Sequence, residues 1–222
     1  NLCLAWEEFY IKRGVAAAEP KPVGWIPEVF TRGARLMEPE ELKLFAYAIL
    51  GNGARSLHYF AYGDGIPGVK GFNQSPALTE GIVRLNRELR TLSPYLEAAY
   101  PVIIPDTVFR GNPEGYETYA LWVGDRGILL IVRINRFDAD YKNNDMGRKP
   151  TFKAVPVEDI AIRLDKPEWF EAENRSGQVV WTDVLEGDDA EGRVRGNALE
   201  LELERLELVR VLWLENARKG DE

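Results

Sequence analysis

The sequence contains one cysteine and one histidine among 222 residues, and these shortages exclude several kinds of site. With Cys3 alone, the chain can form no internal disulfide and no cysteine-based metal cluster. With His58 alone, it cannot build a histidine-rich metal site, and a Ser–His–Asp triad is disfavoured. The sequence therefore predicts no metal site and no bound cofactor.

The chain also lacks long apolar runs and an excess of basic residues. No run of 18 apolar residues occurs, so we expect no membrane-spanning helix. The formal net charge is -8 at pH 7, which disfavours binding to a phosphate backbone. We therefore expect neither nucleic acid nor membrane as a partner. The first residue is Asn1, and we expect that the chain starts within a longer protein or has lost its natural start.

Residues 1–95 alternate between helical and strand-like patterns. Leu42, Phe45 and Ile49 recur at helical spacing after Pro39, whereas the apolar segment 21–30 is bounded by prolines. The predicted elements are a helix over 4–13 that stops at Gly14, a strand within 21–30, a helix from Pro39 to about Gly51, a strand at 56–62 and a helix over 78–92 that ends near Ser93-Pro94. This alternation is typical of parallel α/β structure.

The second half of the chain has the pattern of antiparallel strands. Two apolar segments, 119–123 and 128–134, flank the turn sequence Gly124-Asp125-Arg126-Gly127 and predict a hairpin. Further strands are predicted at 159–164, 178–184, 198–206 and 209–215, and the acidic stretch 186–191 is predicted to be a solvated turn. These elements favour a β-sandwich, with a domain boundary between residues 94 and 118.

Three segments of the first half resemble the end of the catalytic barrel in glycoside hydrolases of the β-galactosidase-like type. KPVGWIPEVF resembles the seventh barrel strand with its terminal glutamate, and PEELKLFAYAILGNGARSLHYFAYGDG resembles the following helix and the eighth strand. ALTEGIVRLNRELRTLSPYL is similar to the helix that closes such barrels. The segment from residue 101 to 220 resembles the β-sandwich that often follows them.

The resemblance implies an α/β plus all-β chain: the last two βα units of a (β/α)8 barrel over residues 1–97, followed by an antiparallel β-sandwich over 101–220. A complete barrel needs about 250 residues, so the first six strands would lie elsewhere. In this clan the acid/base glutamate follows the fourth strand, and no residue of this chain is assigned that role.

Glu28 is the catalytic candidate that the resemblance implies. It ends the segment similar to strand seven, and barrels carry their chemistry at such strand ends. A retaining glycosidase uses one carboxylate as nucleophile and a second carboxyl group as acid/base. Glu28 would be the nucleophile, and the alternative is an ordinary glutamate in a surface loop.

Three further residues are candidates for binding the sugar. Tyr62 fills the position of an aromatic residue at the end of strand eight, and flat aromatic faces suit the apolar faces of sugar rings. Asp64 and Asn73 follow in the glycine-rich loop and could hydrogen-bond hydroxyl groups, or simply face water. We expect Phe60 and Trp25 to be core residues and His58 to be a buried, satisfied side chain.

The predicted function is that of a carbohydrate-acting, glycoside-hydrolase-like protein with a carbohydrate substrate. The alternatives are a non-catalytic module that binds carbohydrate or a partner, and a barrel relative with a decayed site. Because two of eight strands cannot close a barrel, we expect the isolated chain to be inactive. We also expect its open edges to pair with the missing part of the barrel or with a second copy.

Overall fold

The computed structural model describes residues 2–19, 21–27, 29, 36–60, 62–63, 68, 70–101, 115–136, 152–172 and 176–217. The chain divides into two compact units. The first unit comprises Asn1–Arg90 and Arg136–Val155, and the second comprises Thr91–Asn135 and Pro156–Glu222.

The first unit contains helices and a short pair of parallel strands. Its elements are α1 (Leu2–Ala18), β1 (Gly24–Trp25), α2 (Pro39–Gly51), β2 (Ser56–Leu57) and α3 (Pro76–Leu96), of which α3 continues into the second unit. The predicted order of helix, strand, helix, strand and helix is confirmed, and β1 pairs with β2 in parallel. The regular strands are shorter than predicted, at two residues each.

The predicted end of the first helix is wrong, whereas the third helix ends at Leu96, close to the predicted Ser93-Pro94. Helix α1 continues through Gly14 to Ala18, because one glycine inside a long helix costs only about 1 kcal/mol relative to alanine. Helix α3 continues through Pro94 to Leu96. Pro94 lies within the last turn of the helix, so its missing N–H affects only the final hydrogen bonds.

Local sequence signals explain why α2 begins and ends where it does. Pro39 occupies its first turn, and Glu38 N donates to Glu41 Oε2 at 3.2 Å. After Gly51 the chain turns through Gly53, whose φ is +100°. Helix α2 is tied to α3 by the Glu88 carboxylate, which accepts 2.8 Å hydrogen bonds from Lys43 Nζ and Tyr47 Oη.

The second unit is one continuous antiparallel sheet. Its strands are β3 (Ala99–Pro101), β4 (Tyr116–Val123), β5 (Gly127–Ile134), β6 (Val157–Asp165), β7 (Gln178–Asp183), β8 (Asp189–Arg195), β9 (Ala198–Leu206) and β10 (Val209–Glu215). Their order in the sheet is β3-β4-β5-β10-β7-β8-β9-β6. The predicted hairpin is confirmed, with Gly124 at φ +59° in its turn.

This sheet curls so that strands from its two ends meet. Tyr116 Oη on β4 donates to Ala161 O on β6 at 2.6 Å, although the two strands lie far apart in the sheet order. The loop after β6 is also fixed, since Glu171 N donates to Asn216 Oδ1 at 2.9 Å and Asn216 Nδ2 donates to Asp125 O at 2.8 Å. The antiparallel character is therefore confirmed, while the division into two sandwiched sheets stays a prediction.

Strand β8 corrects the prediction for the acidic stretch 186–191, because residues from Asp189 onward belong to the sheet. Ala190 and Gly192 face inward, and a Cβ on Gly192 would lie 2.8 Å from Trp181 Nε1 and from Glu200 O. The inward positions of the strand are therefore small residues, and Gly192 lets it pack closely against Trp181. No helix in the described ranges is long and apolar enough to cross a membrane.

Candidate functional site

The parallel pair in the first unit aligns the carboxyl ends of its two strands. The pairing covers Gly24–Trp25 and Ser56–Leu57 and is extended by backbone hydrogen bonds. Phe60 N donates to Pro27 O at 3.1 Å, and Val29 N donates to Phe60 O at 2.6 Å. Because parallel strands run in one direction, the residues that follow Pro27 and Phe60 leave the pair at the same end. In a barrel, this is the end that carries the chemistry.

Side chains alternate between the two faces of this pair. The exposed positions on one face are Gly24, Ile26, Ser56, His58 and Phe60. Phe60 is 52% exposed, so the prediction that it packs in the core was wrong, as was the prediction that His58 is buried. The reason is that the described elements of this unit cover only the opposite face of the pair.

The covered face of the pair packs against helices. Trp25 is buried and stacks on Phe45 of α2 with ring centroids 6.3 Å apart, which confirms the prediction that it is a core residue. Tyr59 Oη donates to Asn86 Oδ1 of α3 at 2.9 Å. Burial raises the pKa of Tyr59 to about 12, so its hydroxyl keeps its proton at neutral pH. These contacts fix the strands on the face opposite to the exposed positions.

Tyr62 presents an exposed ring at the carboxyl end of the pair. Its side chain is 64% exposed. The ring meets Phe72 edge to face, with centroids 5.4 Å apart and an interplanar angle of 85°. Such aromatic pairs are favourable by about 0.5–1.5 kcal/mol. The contact restrains the tyrosine ring, and most of the side chain stays exposed.

Gly63 and Gly71, at the two ends of the loop that follows Tyr62, are in close backbone contact. Gly63 has a φ of +114°, and a Cβ there would overlap with the backbone of Gly71. A Cβ on Gly71 would in turn overlap with Tyr62 O and Gly63 Cα. The two chain segments therefore touch backbone to backbone, an approach that only glycine permits.

We expect Gly71→Ala to lower the free energy of unfolding of the first unit by about 3 kcal/mol, because the new methyl group must push two backbones apart. The matched control is Gly68→Ala in the same loop. Gly68 has a φ of +77° but open space around it, so its replacement costs about 1 kcal/mol. Urea unfolding followed by far-UV circular dichroism measures both. Equal losses for the two variants would contradict the close contact.

Asn73 lies beside this contact. Its Oδ1 atom is buried and has no hydrogen-bond partner among the described residues. A Cβ on Gly63 would lie 2.9 Å from that oxygen, which places it next to the loop base. A buried acceptor without a donor costs about 1–3 kcal/mol, and because this oxygen has almost no accessible surface it is not itself a contact point for a ligand.

The structure thus brings two of the four predicted site residues, Tyr62 and Asn73, to the base of one loop. Glu28 and Asp64 lie outside the described residues, and the roles of all four stay predictions. Phe72 was not predicted. The sequence feature that could have indicated its role is an aromatic residue next to a glycine at each end of the loop: Tyr62-Gly63 before it and Gly71-Phe72 after it. Within the described ranges, no three His, Cys, Asp or Glu side chains are grouped to hold a metal ion.

The chain is similar in fold to parts of solved glycoside hydrolases. One structure, described as a glycoside hydrolase, aligns with 96% of this chain and 46% of its own, at 11% identity and a TM-score of 0.53. A glycoside hydrolase family 5 protein from Bacteroides vulgatus aligns over the same shares at 12% identity and a TM-score of 0.52. A noncanonic maltogenic α-amylase from Thermotoga neapolitana aligns with 94% of this chain and 44% of its own, at 12% identity and a TM-score of 0.51.

No family model and no curated protein matches the chain. The structural likeness shows a glycoside-hydrolase-like fold. The chain spans less than half the length of the structures it resembles.

Proposed function

We propose that this chain, with its glycoside-hydrolase-like fold, is part of a longer protein that hydrolyses or transfers glycosidic bonds in a carbohydrate substrate. Residues 1–97 would supply strands seven and eight of a β-galactosidase-like barrel, and 101–220 would form the domain after it. The fold of the neighbours and the share of their length that this chain covers support the proposal.

The observation that carries the proposal is the exposed ring of Tyr62 at the carboxyl end of two parallel strands. Single exposed aromatic residues are ordinary on protein surfaces, so what favours a ligand contact is the place of this ring, at the strand ends where a barrel carries its chemistry. Stacking on a sugar would use the flat face of Tyr62, while the Asn73 Nδ2 group would donate hydrogen bonds to sugar hydroxyls and the Asp64 carboxylate would accept hydrogen bonds from them. Phe72 would set the angle of the tyrosine ring.

Glu28 is proposed as the nucleophile of a retaining mechanism. Glu28 follows the first strand of the parallel pair in the sequence, which fits its resemblance to the glutamate that ends strand seven. The carboxylate would attack the anomeric carbon, the bond to the leaving oxygen would break, and water would later release the sugar from the glycosyl ester. The acid/base carboxyl group would come from the part of the longer protein outside this chain.

Replacing Tyr62 with alanine tests the binding role. In the longer protein we expect Tyr62→Ala to lower kcat/KM for a glycoside about tenfold, because one stacking contact is lost. Since the side chain is mostly exposed, the melting temperature should fall by only a few degrees, through the lost contact with Phe72. Tyr62→Phe keeps the ring and should retain most of the activity. Unchanged kinetics with a lowered melting temperature would instead mean that the ring only packs against its neighbours.

The second candidate is a non-catalytic module that binds carbohydrate or a partner. The exposed face with Ile26 and Phe60 supports it, because an apolar sheet face suits contact with another protein segment. Under the first proposal, the rest of the barrel or a second copy of the chain covers the same face. Hydrolysis of aryl-glycosides by the longer protein separates the two candidates, since the module would bind sugar without turnover.

A further inference from the structure

The second unit carries an exposed aromatic cluster made of other residues than those proposed for catalysis. Tyr100 on β3 and Trp122 on β4 are direct cross-strand partners, so both side chains stand on one face of the sheet. Tyr100 is 67% exposed and Trp122 is 37% exposed. The half-buried Trp169, in the loop after β6, joins them. We call Tyr100, Trp122 and Trp169 the aromatic platform.

The rings of the platform are held in place from below. Trp169 meets Trp122 edge to face, with centroids 5.9 Å apart and an interplanar angle of 87°. Trp169 also contacts the buried Phe170 at 6.2 Å. Lys166 Nζ fixes this loop by donating to Phe170 O at 3.0 Å. The two tryptophan rings therefore lie at nearly a right angle to each other in the absence of a ligand. This preorganisation reduces the conformational entropy that is lost on binding.

The exposed area of the platform distinguishes between a protein partner and a carbohydrate as its ligand. Three aromatic side chains with these exposures offer roughly 250–300 Å² of accessible surface. A stable protein interface buries about 800 Å² on each partner, of which roughly 450–520 Å² is apolar. Among the described residues of this unit, the other exposed large apolar side chain is Val180 on β7, three strands away from β4. The patch is therefore too small for a protein partner but large enough for one or two sugar rings.

We propose that the aromatic platform is a binding site for a polysaccharide, separate from the proposed catalytic site. The apolar C–H face of a hexose ring packs on the exposed side of Trp122 and Tyr100, and Trp169 forms the wall beside it. Glu168, exposed next to Trp169 in the chain, offers a carboxylate to sugar hydroxyl groups. Such a site would hold the enzyme on a long substrate, and it requires no contribution from Glu28.

Affinity gel electrophoresis tests the platform with the chain itself and a panel of soluble polysaccharides: mixed-linkage β-glucan, xylan, galactomannan and arabinogalactan. We expect at least one of them to retard the chain. Trp122→Ala should weaken that binding at least fivefold, whereas Trp122→Tyr keeps an aromatic face and should lose less than twofold. Val180→Ala, an exposed apolar change on another strand, should bind like the unaltered chain. Thermal melts of all variants establish that each is folded.

Two results would overturn the proposal. One is the absence of retardation by every polysaccharide of the panel, and the other is full binding by a folded Trp122→Ala variant. A dimer in sedimentation that Trp122→Ala converts to a monomer would also overturn it, since the patch would then join two copies. Glu28→Gln should leave the retardation unchanged, so the platform and the catalytic proposal can fail independently.

Discussion

In the longer protein, Glu28→Gln is expected to lower kcat for an aryl-glycoside by at least about a thousandfold. An amide has nearly the shape of a carboxylate but is a poor nucleophile, so the glycosyl ester cannot form. The substrate should still bind, because Tyr62 and Asn73 are untouched. We therefore expect KM to change much less than kcat when initial rates are measured over a range of substrate concentrations.

The matched control for Glu28 is Glu80→Gln, which removes one charge at an exposed position of α3. This variant should retain full activity, which separates a role in chemistry from a general effect of charge. A Glu28→Gln variant that keeps more than a tenth of the original kcat would contradict the role of Glu28 as nucleophile.

Asp183→Ala is expected to lower the free energy of unfolding of the second unit by about 3–5 kcal/mol. Asp183 is 1% exposed, and its Oδ2 accepts a 2.8 Å hydrogen bond from Arg210 Nε. Its Oδ1 accepts from Leu185 N at 3.0 Å and from Glu186 N at 3.2 Å. Removing the carboxylate leaves a mostly buried guanidinium and two turn amides without their acceptor. Chemical unfolding, followed by tryptophan fluorescence, measures the loss.

An exposed ion pair provides the comparison for Asp183. Glu158 pairs with Arg205 at 3.4 Å, and both side chains are more than half exposed. Solvent screens such pairs, so Glu158→Ala should change the free energy of unfolding by less than about 1 kcal/mol. If the two alanine variants lost the same stability, burial would not be what makes the Asp183 pair important.

The strongly periodic strands could be predicted from the sequence alone. In β9, leucines alternate with glutamates, and the strand has the predicted bounds of 198–206. The prediction succeeds because a strand with one buried and one solvent-exposed face alternates apolar and polar residues along the sequence. Strand β8 has the same period of two, but the residues between its charged positions are Ala190, Gly192 and Val194, so the apolar signal is weak. The close fit of Gly192 against Trp181 is a contact between strands that no local pattern reveals.

The candidate site was predictable only in part, for a related reason. In the segment from Ser56 to Phe60, every second residue shares one face of the strand. The sequence does not say which of the two faces the helices cover. The same period is compatible with a buried or an exposed Phe60, and the structure shows it exposed. The contact between Gly63 and Gly71 joins residues on either side of a loop, so it also required the three-dimensional structure.

Trapping of the glycosyl intermediate in the longer protein tests the role of Glu28 most directly. A fluorosugar glycoside with a good leaving group slows release of the intermediate more than its formation, so a retaining enzyme accumulates the covalent ester. We expect mass spectrometry to find the added sugar on the peptide that contains Glu28 and to find none in the Glu28→Gln variant. Labelling of a different carboxylate, or a product of inverted configuration, would contradict the proposed mechanism.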